Sequence, residues 1–185
     1  MAGRAGGPAH GDLKGPAARP LGTGGRGNHS SERRYRVDDA ELERWFEDAW
    51  GPPGDRALAE WFRSYLRTFT ALAREERDDV EALLSFYGIP AILTADRGVI
   101  ILTDPARLVA EMGTEIRALR RAGYGSTVAS HLHTRRINAN SVFLESAWTR
   151  YHPDGRVLAT FQATYGLTRM PAGWRITSVA VADDP

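Results

Sequence analysis

The 185-residue chain has no cysteine, which excludes disulfides, thiolate nucleophiles and cysteine-bound metals. Lysine occurs once, as Lys14, and arginine carries almost all the positive charge. That bias tracks a GC-rich coding sequence rather than a function. No apolar run approaches the roughly 20 residues that cross a bilayer, so no membrane partner is expected. There is no strand, glycine-rich loop and helix in succession, which argues against phosphate binding by a P-loop or dinucleotide fold. The N-terminus lacks the continuous apolar core of a secretory signal, and the cytoplasm is the expected compartment.

Hydrophobic residues make up 42% of the chain and charged residues 25%, an ordinary balance for a globular domain with a core. Charge is unevenly placed. Residues 1–36 hold seven basic groups (Arg4, Lys14, Arg19, Arg26, Arg33, Arg34, Arg36) against Asp12 and Glu32, a net +5; the whole chain is +1, so residues 37–185 carry −4. A mildly acidic body is a poor nucleic-acid partner, and none is expected. Residues 1–36 are rich in Gly, Ala, Pro and Arg and cannot bury enough surface to offset their ordering entropy, so a disordered basic tail is expected there.

Residues 37–54 read as an added short helix and linker. Leu42, Trp45, Phe46, Ala49 and Trp50 form one apolar stripe, and Gly51-Pro52-Pro53-Gly54 stops it. Residues 55–182 read as the folded domain, with 183–185 a frayed end. A helix over Arg56–Arg77 carries the stripe Leu58, Trp61, Phe62, Tyr65, Leu66, Phe69 and Leu72 or Ala73. A short helix follows from Asp78 or Asp79 and ends before Gly88-Ile89-Pro90. Ala91–Thr94 and Val99–Leu102 then form a hairpin. Asp104 and Pro105 open a further helix that buries Leu108, Met112, Ile116 and Leu119 and ends at Gly123. Four long strands close the chain: Ser126–Ile137, Val142–Tyr151, Val157–Arg169 and Trp174–Ala182.

Helices first and an antiparallel meander last predict an α+β fold, with N-terminal helices packed against one face of a curved sheet. The segments Ala59-Glu60-Trp61-Phe62-Arg63-Ser64-Tyr65, Asp78-Asp79-Val80-Glu81-Ala82-Leu83-Leu84, Trp148-Thr149-Arg150 with Asp154-Gly155, and Gly173-Trp174-Arg175-Ile176 together resemble the nuclear-transport-factor-2-like superfamily. That superfamily includes ketosteroid isomerases and SnoaL-like polyketide cyclases. Through Phe86-Tyr87-Gly88-Ile89-Pro90 and Ala122-Gly123-Tyr124 the chain is most similar to a branch without an assigned function. The resemblance implies a cystatin-like α+β barrel, a cone-shaped antiparallel sheet around a cavity, with homodimerisation through the convex face. The isomerases' carboxylate base has no counterpart within Ala91-Ile92-Leu93-Thr94, so no catalytic set carries over.

His131 and His133 flank Leu132 and share one side of their strand with Arg135. Such a pair can move protons, bind zinc if a third ligand is near, or simply face solvent. Metal is not expected, nor any other cofactor. Glu145 in an apolar strand is either a desolvated acid–base group, paired with His131 or His133, or a surface carboxylate. Parity puts Val142, Leu144, Ser146, Trp148 and Arg150 on one face of that strand, and Phe143, Glu145, Ala147, Thr149 and Tyr151 on the other; both are mixed. Tyr65, Phe69, Tyr87, Trp148 and Tyr165 are the expected pocket-lining residues, since a buried tyrosyl hydroxyl needs a partner. Arg150 is either an anion clamp or a surface arginine near a strand end.

Two functions fit these residues. The first is a small-molecule pocket protein, in its enzymatic form an isomerase, cyclase or dehydratase moving protons through His131, His133 and Glu145 on a hydrophobic oxygenated substrate. Tyr65 or Tyr87 would stabilise an oxyanion. The second is a non-catalytic homodimeric ligand-binding or interaction module.

Overall fold

A computed structural model describes residues 56–183. The tail over 1–36, the added helix over 37–54 and the final two residues lie outside the described part. Helix α1 spans Arg56–Ala73, a 3₁₀ turn Val80–Ser85, β1 Tyr87–Ala95, β2 Gly98–Leu102, α2 Pro105–Arg121, β3 Ser126–Asn138, β4 Ser141–Tyr151, β5 Val157–Met170 and β6 Gly173–Asp183.

The apolar stripe of α1 buries Leu58, Phe62, Tyr65 and Leu72. The helix ends before Arg77, and its Leu72 carbonyl accepts from another element. Arg120 of α2 donates from Nε and Nη2 to the Leu72 carbonyl at 2.9 and 2.7 Å, and Glu75 turns into the left-handed region at φ 61°. The next segment is too short for a stable α-helix and settles as a 3₁₀ turn. Asp104 caps α2 by accepting from the Arg107 amide at 2.8 Å, with Pro105 in the first turn. Gly123 closes α2 at φ +73°, where a side chain would be strained, and the Tyr124 amide reaches back to the Leu119 carbonyl at 3.1 Å.

The sheet is curved and six-stranded, ordered β2-β1-β6-β5-β4-β3. It is not closed, and β2 and β3 are its two edges. The antiparallel meander is as the sequence suggests, but β1 lies parallel to β6, with a register shift between Tyr87 and Ile92. Strand β1 begins four residues earlier than Ala91, because Tyr87 pairs with Ile176 ahead of Pro90.

Register assigns the two faces. One inner row runs Leu144, Tyr165, Val179, Leu93, Ile100; another runs Val142, Leu167, Ile176, Tyr87. Both helices pack on this side: Phe62 of α1 meets the Tyr165 ring edge-on at 5.2 Å, and Glu115 of α2 reaches Arg150 of β4. The outer rows run Arg135, Phe143, Gly166, Ser178, Ile92, Ile101 and His133, Glu145, Thr164, Ala180, Thr94, Val99. The Trp148 side of β4 therefore looks inward, and the Glu145 side outward.

Candidate functional site

The inner face concentrates aromatic rings around three tyrosyl hydroxyls. Position 65 lies one α-helical turn beyond Phe62 and one before Phe69, so all three rings lie on one side of α1. Tyr65 packs within 5.6–6.3 Å, centroid to centroid, of Phe62, Phe69, Phe86, Tyr87 and Tyr165. Several of these pairs are edge-to-face, the arrangement that the ring quadrupole favours. The Tyr65 and Tyr87 hydroxyls are 3.2 Å apart and share one hydrogen bond. The Tyr165 hydroxyl makes no hydrogen bond among the described residues.

Burial raises the pKa of all three tyrosines well above the ordinary value, and desolvation is the main cause at each. At Tyr65 the neighbouring Tyr87 hydroxyl adds to the shift, while the positive field of Arg150 opposes it. Arg150 likewise opposes it at Tyr165, and Glu115 adds to it at Tyr65 and Tyr87. The three phenols thus remain neutral hydrogen-bond donors at physiological pH, with Arg150 and Glu115 close enough to act on them.

Arg150 sits at the end of β4 on the Trp148 face. Its Nη1 donates to Glu115 Oε1 at 3.2 Å, and its guanidinium lies 4.6 Å over the Phe161 ring, the diagonal neighbour on β5. Trp148 is buried on the same face. Its indole N–H donates to Ser146 Oγ at 2.5 Å, and that hydroxyl donates to the Ala163 carbonyl at 2.8 Å. Ser146, a polar residue on an apolar face, is therefore fully engaged.

Of the residues singled out as pocket-lining, Tyr65, Tyr87 and Tyr165 converge, Phe69 packs against Tyr65, and Trp148 shares their face. His131, His133 and Glu145 lie on the other side of the sheet, all exposed. The register does set His133 opposite Glu145, and the two imidazoles stack at 6.5 Å. The desolvated carboxylate considered for Glu145 is absent because strand parity turns it outward, opposite to Leu144 and Ser146. Among the described residues no group of three or more His, Asp or Glu side chains is placed to hold a metal. No described helix is long and apolar enough to cross a membrane.

Glu115 escaped the sequence reading. A signal existed: 115 is seven residues after Leu108 and three after Met112, so a carboxylate borders the buried stripe of α2.

Comparison with known proteins accords with this geometry. Residues 56–184 match the family described as NTF2-like protein (DUF6841). No curated protein matches the chain in sequence. Among solved structures it is similar to a protein of unknown function with a cystatin-like fold from Nostoc punctiforme, with a TM-score of 0.54 and 16% identity over 67% of this chain and 89% of that one. It is similar also to a ketosteroid isomerase-like protein from Erwinia carotovora atroseptica, with a TM-score of 0.52 and 17% identity over 72% and 100% of the two chains. A third is Aln2 from a Streptomyces species, with a TM-score of 0.55 and 16% identity over 72% and 94%. At these identities the structural likeness bears on the fold alone. On the family match, which covers well over half its length, the chain belongs to the NTF2-like family (DUF6841).

Proposed function

We propose that the inner aromatic cluster binds a compact apolar ring compound bearing an oxygen acceptor, and that Tyr65, Tyr87 and Tyr165 are the donors that hold that oxygen. The observation that carries this reading is the Tyr165 hydroxyl, which makes no hydrogen bond among the described residues and belongs to the ring cluster beside the Tyr65–Tyr87 pair. Core aromatics alone would account for the rings but not for three hydroxyls gathered among them. At the level of fold, the likeness to a protein described as ketosteroid isomerase-like agrees with it. On a bound carbonyl the same neutral phenols would stabilise negative charge developing on oxygen, which is the form an enzymatic role would take at this site. Titration of the protein with acetonaphthone and with ethylnaphthalene, which lacks the oxygen, tests the reading. The ketone binds more tightly, and Tyr165→Phe weakens it about five- to tenfold, the value of roughly one hydrogen bond, while the hydrocarbon is unaffected. Absence of binding by either ring compound would sink the proposal.

A separate observation favours a second role for the opposite face. Ile92, Val99, Ile101 and Phe143 are 46%, 66%, 56% and 37% exposed, and all four lie in the two outer rows, interspersed with Gly166, Ser178, Thr164 and Ala180. An outer face of exposed apolar and small side chains suits a second copy of the chain. Sedimentation analysis then gives a dimer for the wild type and a monomer for Ile101→Asp combined with Phe143→Asp. A monomeric wild type at tens of micromolar contradicts it.

A further inference from the structure

We propose that the inner-face site selects acids, and that Arg150 binds the carboxylate of its ligand through the Nε–Nη2 edge of the guanidinium. The inference deepens the ligand-site reading above and rests on it.

Position comes first. Arg150 shares its strand face with Val142, Leu144, Ser146 and Trp148, all buried, and its own side chain is only 19% exposed. A cation on that face needs compensation, and it receives half of what it could use. Nη1 is engaged by Glu115 Oε1. Nε is buried and has no hydrogen-bond partner, and Nη2 has none among the described residues. Nε and Nη2 point their N–H bonds the same way, and that edge is the one that grips a carboxylate with two parallel hydrogen bonds. The Phe161 ring, 4.6 Å from the guanidinium carbon, lies against the flat of the guanidinium rather than at this edge.

Charge points the same way. Glu115 also lies 4.0 Å from the exposed Arg97, so two arginines meet one carboxylate and the cluster keeps one positive charge in excess. A single anion restores neutrality. Tyr65 and Tyr165 lie within the field of Arg150, which opposes the rise of their pKa. A carboxylate there takes two hydrogen bonds from Arg150, and it requires no acceptor from the protein. An arginine that only closed the layer by pairing with Glu115 would be indifferent to ligand charge.

Naphthoate and acetonaphthone have nearly the same shape and differ in charge, which makes them the test pair. Calorimetric titration of the full chain is expected to show naphthoate binding at least tenfold more tightly than acetonaphthone. In Arg150→Met that preference disappears through weaker acid binding, while ketone affinity stays within about twofold. Arg150→Met combined with Glu115→Gln, which leaves no buried charge behind, behaves alike and guards against a folding defect. Arg150→Lys, which keeps the charge but not the fork, recovers only part of the preference. Equal binding of acid and ketone by the wild type, or a preference that survives in both Met variants, overturns the assignment of Arg150 while leaving the ligand site intact. Failure of both probes to bind overturns the site itself.

Discussion

The three inner tyrosines tie the site to an observable that needs no ligand. Their folded-state pKa values are raised by burial. Unfolded tyrosine ionises near pH 10, so above that pH the unfolded chain holds fewer protons than the folded one, and stability falls as pH rises toward the folded values. Below pH 10 these residues contribute no pH dependence. Each should add about 1.4 kcal/mol of lost stability per pH unit in the alkaline range. Urea denaturation between pH 9 and 11 measures the slope, and Tyr165→Phe should remove one tyrosine's share. A slope unchanged by that substitution would mean that the Tyr165 ring is solvated in the folded protein.

Among the elements, β4 decides what the sheet does, because its alternation separates Ser146 and Trp148 from Glu145. Ser146→Ala removes the acceptor of the Trp148 indole and the donor to Ala163, and should cost about 1–3 kcal/mol by equilibrium urea denaturation. Glu145→Gln, one residue earlier but outward, should change stability by no more than about 0.5 kcal/mol. Equal costs would contradict the assignment of faces. Much of the fold was legible in the sequence: the stripe of α1, the Asp104-Pro105 start of α2 and the four-strand meander. The orientation of β4 was not, because each of its faces mixes polar with apolar side chains and only packing against α1 and α2 breaks the tie. The parallel pairing of β1 with β6 joins strands far apart in the chain and leaves no local signal. Glu115 stayed hidden because a lone carboxylate beside a buried helical stripe reads as solvated until a partner such as Arg150 is seen opposite it.

At the scale of the whole molecule, one open curved sheet separates two surfaces of different chemistry. The inner one gathers neutral phenols and an arginine with a free edge among aromatic rings. The outer one carries His131, His133 and Glu145 amid exposed apolar and small residues. The proposed ligand site lies on the first surface and the proposed self-association face on the second. The measurement that tests it most directly is the acetonaphthone titration followed by NMR of protein labelled at its tyrosine and histidine rings. Saturable shifts are expected at Tyr65, Tyr87 and Tyr165, with His131 and His133 unmoved. Shifts confined to the two histidines, or none at any ring, would contradict it.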